Sequence, residues 1–258
     1  MNQMKSEREC RQDIVEVCRR MHGRGFISGS DGNVSVRVGA NRILSTPSGL
    51  NKGFIAPKDL IITDMEGAKL QGEHKPTTEL FMHIEAYMRR EDIGAVIHAH
   101  PPFTVAFSIA GQKLPQCVMP EIVMMFGSIP TAAYATPCTE EGPRVIADLI
   151  GDCDALIIER HGTLTVGENV FSAYDKLEKI EHSAQVSAAA RQLGPVKPLP
   201  QEEIQKLLAL REKLGLKGKV YPCNKCGMCG TGRGAGAGED VLVQSLSEEL
   251  FKTIREKL

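Results

Sequence analysis

His98 and His100 stand one residue apart in "AVIHAHPP" (95–102), an apolar run closed by two prolines. On a strand, residues two apart share a face, so the pair can converge on one ion. Neutral imidazoles suit zinc and its borderline neighbours. Taken alone, the pair reads sooner as hydrogen-bonded core histidines. His161, in "ERHGTLTVG", ends a second apolar run, and the glycine after it permits a tight turn. Three histidines from two strands would give a catalytic zinc its protein ligands and leave one position open. The plainer reading of His161 is a turn residue. Glu79, in "KPTTEL", is the candidate acid/base; a carboxylate early in a helix is also favoured simply by the helix dipole. His83, four residues on, makes Glu79–His83 a rival ligand pair, but one that leaves His98 and His100 unexplained.

Three further stretches suit an anion. "SDGNVS" contains Gly32 and Asn33 in a turn, "TPSG" offers Ser48 beside Gly49, and "PTTE" places Thr77 and Thr78 at a predicted helix start. Backbone N–H groups with hydroxyl donors make a phosphate site without a lysine. Glycine turns and threonine caps are common, so each stretch is weak alone. Together with the histidines and the glutamate they point to a metal enzyme acting on a small phosphorylated molecule.

These groups need elements to hold them. Residues 6–22 read as a helix with Ile14, Val15, Val17, Cys18 and Met21 on one face. "NVSVRV" alternates like a strand, "RILSTPSG" runs from strand to turn, and "DLIITDMEGAKLQG" reads strand, turn, strand. "KPTTELFMHIEAYMRRED" has helix start signals at Pro76 and the threonines and apolar repeats at Leu80, Ile84 and Met88. "IGAVIHAH" is a buried strand, "DALIIERHGTLTVG" a strand pair, and "NVFSAYDKLEKIEHSAQVSAAARQL" a long helix. Strands and helices mix without strict alternation, which predicts an α/β or α+β sandwich around a largely antiparallel sheet.

A chain of 258 residues, 42% hydrophobic and 24% charged with net charge -1, has an ordinary globular profile. The balanced charge provides no case for nucleic acid or an anionic membrane as partner. No apolar run is long enough to span a bilayer, and the first residues are amphipathic rather than basic-then-apolar, so the expected location is cytoplasmic. The eight cysteines are then read first as thiols or metal ligands.

The character changes after Leu216. Residues 217–238 carry Cys223, Cys226 and Cys229 with two-residue gaps, then a Gly/Ala-rich run. The spacing suits a zinc or iron–sulfur site that lacks a local fourth ligand, or else three thiols in a linker; Cys138, Cys153, another subunit or an exogenous ligand would have to complete it. Residues 239–258 place Leu242, Leu246, Leu250, Ile254 and Leu258 four apart, an amphipathic helix that needs a surface to bury against.

The order of "GNVSVR", "TPSG", "KPTTE", "HAHPP" and "RHG" resembles the class II aldolase/adducin family, nearest its fuculose-phosphate aldolases, over about residues 6–216. The resemblance implies a three-layer α/β/α sandwich in a cyclic homotetramer with sites between subunits. It implies one active-site zinc on His98, His100 and His161, with Glu79 as acid/base and as a ligand when substrate is absent. Gly32, Asn33, Ser48, Gly49, Thr77 and Thr78 match its phosphate positions. It implies cleavage of a ketose 1-phosphate such as L-fuculose or L-rhamnulose 1-phosphate into dihydroxyacetone phosphate and lactaldehyde. A dehydratase, epimerase or decarboxylase of the same family, or a non-catalytic adducin-like module, are the alternatives. The tyrosine expected from the neighbouring subunit is replaced by Met119, with Glu121 nearby; the C-terminal tyrosine is lost near Leu214, where Tyr221 is the nearest substitute. The last helix resembles encapsulation peptides of bacterial microcompartment cargo, which implies a shell-protein partner and a place in the compartment lumen.

Overall fold

The computed structural model describes residues 5–222. Helix α1 (Glu7–Gly23) precedes strands β1 (Asn33–Gly39) and β2 (Arg42–Ser45), two short 3-10 turns (Lys52–Phe54 and Pro57–Asp59), and strands β3 (Ile61–Thr63) and β4 (Lys69–Gln71). Helix α2 (Leu80–Arg89) feeds β5 (Ala95–Ala99), followed by α3 (Pro102–Ile109), α4 (Pro120–Phe126), β6 (Thr131–Ala132) and α5 (Glu141–Ile150). The strands β7 (Ala155–Ile158) and β8 (Gly162–Gly167) form a hairpin before α6 (Val170–Leu193) and α7 (Gln201–Lys213).

The strands make one eight-stranded sheet in the order β4-β3-β2-β1-β5-β8-β7-β6. Every pairing is antiparallel except β6 with β7. The pleat sends alternate side chains to opposite layers. Val34, Val36, Leu44 and Ile97 meet α1 and α6, while Ile43, Val96, Leu164 and Val166 meet α2 and α5. The three-layer α/β/α sandwich expected from the sequence is the fold observed. Strand β5, between β1 and β8, is buried along its whole length, which explains why it reads as an unbroken apolar run. No helix among the described residues is long and apolar enough to cross a membrane.

Local signals place the first elements. Ser6 and Glu9 close a capping box on α1, whose buried face carries Ile14, Val17, Cys18 and Met21. The predicted start of α2 is corrected by one turn. Residues 75–78 are not helical: Pro47 and Pro76 form an antiparallel bridge, and Ser48 N–H donates to the Lys75 carbonyl at 3.0 Å. The helix begins at Leu80, with Glu79 at its N-cap position making no side-chain cap bond. The carboxylate is thereby free to serve another partner.

At the end of the sheet away from His161, a buried ion cluster joins three elements. Arg90, after α2, bonds Asp154 at 2.8 Å and the carbonyls of Ile150 and Cys153, and Lys176 of α6 reaches the other Asp154 oxygen at 3.1 Å. Residues after α7 stay on the body, since Tyr221 exchanges backbone bonds with Phe126 and Ser128. Cys223, Cys226, Cys229 and residues 239–258 lie outside the described residues. Removing one partner of a buried ion cluster strands the others without solvent. Asp154→Ala is therefore expected to lower unfolding stability by about 3–5 kcal/mol in urea titrations.

Candidate active site

The period of a strand and the turn of a hairpin bring three imidazoles together. His98 and His100 project from the end of β5 toward the α2 layer, and the β7–β8 turn carries His161 beside them. One nitrogen from each lies within 4.8 Å of the others. Ring centroids are 4.7 to 5.0 Å apart. Gly162 permits the approach: a Cβ there would press on the Ala99 carbonyl and the His100 ring. His98 Nδ1–H donates to the Thr163 carbonyl at 2.9 Å, which leaves Nε2 as a lone pair aimed inward. That Nε2 and His100 Nε2 stand 2.9 Å apart. Burial pushes both His98 and His100 down to about 4, so both are neutral at pH 7, the form in which imidazole binds metal. Lone pairs of neutral rings converging so closely suit a divalent cation, and the donor set fits one.

Glu79 closes the group. Its carboxylate stands 3.3 Å from His161 Nε2 and 3.6 Å from His98 Nε2 and accepts from Asn33 Nδ2–H at 2.8 Å. Burial alone would raise this carboxyl; the hydrogen bonds from His161 and Asn33 hold it well below the usual carboxylate range. A nearly enclosed, ionised carboxylate facing three imidazoles can bind a cation or move a proton.

The three anion-suited stretches lie together on the same side. Gly32 has φ +68° and passes so near the His98 carbonyl that a Cβ would sit 3.0 Å from it, so no other residue fits. Val34 N–H donates to Thr46 Oγ1 and Thr46 N–H to the Val34 carbonyl, tying the first stretch to "TPSG". The Pro47–Pro76 bridge ties "TPSG" to the threonines. Gly49 has φ +76° with open space above it. Two side chains are already engaged: Asn33 bonds Glu79 and His83, and Thr78 Oγ1 lies 2.9 Å from Cys138 Sγ.

A lysine absent from the sequence argument lies beneath these loops. Lys52 is 2% exposed, and its ammonium donates to the Ser30 carbonyl at 2.6 Å and the Leu50 carbonyl at 2.9 Å. Burial lowers it from the ordinary lysine range, with Asp31 and Glu79 among the charges pulling the other way. It clamps the Gly32 turn to the Gly49 turn while bringing positive charge under both. Its only signal in the sequence is a lysine inside the turn "LNKGF", which a solvated lysine would show equally. His83 is also settled: both its ring nitrogens are occupied, by Asn33 and Ser35, so it is not a ligand paired with Glu79. Met119 packs in the apolar cluster around α4, Glu121 lines a cleft with Arg90 and Lys176, Leu214 is exposed at the end of α7, and Tyr221 is held on the Phe126–Ser128 turn. None of these joins the histidines within the chain.

Known proteins resemble this chain in sequence and fold. Residues 12–188 match the model of the Class II Aldolase and Adducin N-terminal domain. An L-fuculose phosphate aldolase of Methanococcus maripaludis is 37% identical over 177 residues, covering 68% of this chain and 94% of that protein. A 5-deoxy-D-ribulose 1-phosphate aldolase of Bacillus thuringiensis is 30% identical over 206 residues, covering 80% of this chain and 96% of the relative. A solved structure of an L-fuculose 1-phosphate aldolase superposes with a TM-score of 0.73 at 27% identity, covering 81% of this chain and 97% of that one. The chain belongs to the class II aldolase/adducin family, as one of its enzymes.

Proposed function

We propose that the chain is a zinc-dependent aldolase that cleaves a deoxyketose 1-phosphate into dihydroxyacetone phosphate and a short aldehyde. The observation that carries this reading is the meeting of Glu79 with His98, His100 and His161 beside three linked anion-suited loops. A zinc ion on the three imidazoles would act as a Lewis acid toward the ketose oxygens and stabilise the charge left when C3–C4 breaks. The rest is the work of the chain's own groups. Backbone N–H groups around Gly32 and Gly49, with Ser48, Thr77 and Thr78, would hold the phosphate; Asn33 belongs to the same turn. Lys52 supplies positive charge below them, so the bound phosphate dianion faces a resident countercharge.

Cleavage moves one proton from the C4 hydroxyl to C3. Glu79 is the group placed to hand that proton to C3: its ionised carboxylate, held at the histidine cluster by Asn33 and His161, takes the proton up once it has left the C4 oxygen and passes it on. Met119 carries no titratable atom, so the C4 proton is accepted by a group other than the one at that position. Sites between subunits of a homotetramer are part of the same proposal. Exposed apolar side chains such as Phe54, Phe81 and Leu193 are surfaces that such an assembly would cover. The aldehyde half is where the relatives differ from one another, and L-fuculose, L-rhamnulose and 5-deoxyribulose 1-phosphates are the substrates to compare. The segment 239–258 would address the enzyme to a microcompartment shell, and the cysteines at 223, 226 and 229 would hold a second metal.

The deciding experiment is a coupled assay for dihydroxyacetone phosphate over that panel, with and without a chelator. Product that disappears with chelator and returns with zinc supports the aldolase; no product from any substrate moves the assignment to a dehydratase, epimerase or decarboxylase. Glu79→Gln is expected to cut kcat by about 10²–10⁴-fold, the range for losing a general acid/base. His98→Ala should lose both stoichiometric zinc and lyase activity; full retention of both would favour an adducin-like module. Lys52→Met is expected to raise KM about tenfold, the effect of about 1.4 kcal/mol, and to weaken inhibition by inorganic phosphate. Deleting residues 239–258 should leave kcat unchanged and abolish co-purification with shells; lost catalysis would count against a targeting role.

A further inference from the structure

The Glu79 carboxylate is the open end of a line of buried hydrogen bonds that runs back into the α2 layer. Asn33 Nδ2 meets Glu79 Oε2 at 2.8 Å, and Asn33 Oδ1 meets His83 Nε2. His83 Nδ1 stands 2.7 Å from Ser35 Oγ, which stands 2.9 Å from the Tyr87 hydroxyl. Asn33, Ser35, His83 and Tyr87 are each no more than 2% exposed. Two repeats interlock to build the line. Asn33 and Ser35 are two apart on one face of β1, and Glu79, His83 and Tyr87 are four apart along α2.

Chemistry gives the line one direction. An ionised carboxylate only accepts, so the Asn33 amide must present N–H to Glu79 and its carbonyl to His83. His83 must then carry its proton on Nε2, leaving Nδ1 to accept from the Ser35 hydroxyl. Ser35 Oγ in turn accepts from the Tyr87 hydroxyl. Were Asn33 reversed, its carbonyl oxygen would face the carboxylate, and repulsion would drive Glu79 away from the histidines. Buried polar groups in a satisfied chain polarise one another, so each donor strengthens the next.

We propose that His83, backed by Ser35 and Tyr87, is the positioning residue for Glu79: it locks the Asn33 amide so that N–H faces the carboxylate and holds it against His98 and His161. The inference rests on Glu79 being the acid/base of the proposed reaction. None of the three touches the reacting atoms. Their effect is on where the Glu79 carboxylate sits when the proton moves. A near-neutral His83 is what burial enforces, pushing its ring down to about 4.

The test uses the full-length zinc-loaded protein. Long-range proton–nitrogen correlations of the His83 ring should show Nε2 protonated and Nδ1 bare; a proton on Nδ1, or on both, overturns the proposal without reference to activity. In the coupled assay, His83→Leu is expected to lower kcat by about 10²-fold, the scale of a small misplacement of a catalytic group, with KM within about threefold and zinc content unchanged. His83→Gln keeps an N–H near the Nε2 position and should recover most of that loss. Tyr87→Phe, which removes only the hydroxyl, should fold normally and show a smaller loss of kcat, and it decides the matter if the leucine variant does not fold. A folded His83→Leu with kcat within about twofold of wild type, a glutamine variant no better than leucine, or a loss of zinc in either variant would overturn the positioning role. Full activity in Glu79→Gln would instead sink the acid/base reading, and the ring tautomer would still report on the hydrogen-bond line.

Discussion

The site depends on keeping Glu79 ionised in a place with little water. A carboxylate 12% exposed would ordinarily be driven toward its neutral form. Here it is held by the Asn33 amide N–H and the His161 imidazole. The groups around it are fixed in turn by the backbone: Asn33 by its pairing with His98 at the start of β1, His98 by the Thr163 carbonyl, His161 by the β7–β8 turn. The carboxylate is therefore a junction of sheet, helix and hairpin, and changes in any of the three would be felt there.

That arrangement explains a division of labour along the sheet. The end carrying His98, His161 and Gly32 is made of turns whose backbones pass close to one another, where only glycine fits at positions 32 and 162. The other end is tied by Arg90, Asp154 and Lys176. Buried charge clusters of that kind contribute little net stability against an apolar alternative, but they are costly to break. They fix where α2 ends relative to β7 and α6. Since Glu79 stands at the N-cap of α2, anchoring the far end of the helix also restricts where its first turn can stand. Lys52 does the equivalent under the anion-suited loops, using carbonyls instead of a carboxylate and so leaving its charge unspent.

Much of this was legible in the sequence because it follows from period and order. The strand pair, the buried β5 run and the long α6 helix all carry their periodicity openly, and two-residue spacing put His98 and His100 on one face. The elements between 101 and 151 were not legible in the same way. Helices α3 and α4 are short, mostly apolar and start at prolines, so neither shows a polar face to set a period. Strand β6 has two residues and a single partner. Helix α7 is hard to read from the sequence for a different reason: it buries little beyond Ile204 and Arg211 and packs chiefly on α4.

The candidate site divides along the same line. Ligand types and glycine turns announce themselves by residue identity, so the histidines, Glu79 and the three loops could be nominated from the chain alone. Orientation could not. Asn33 reads as a turn residue near an anion, yet its side chain is committed to Glu79 and His83, because the pleat of β1 turns it toward α2. His83 reads as a ligand four residues from Glu79, yet the rotation of the helix directs it at Ser35 instead. In both cases the sequence names the right chemistry and the wrong partner. What separates a ligand from the residue that aims one is which lone pairs remain unspent, and that is settled only when strand and helix are packed together.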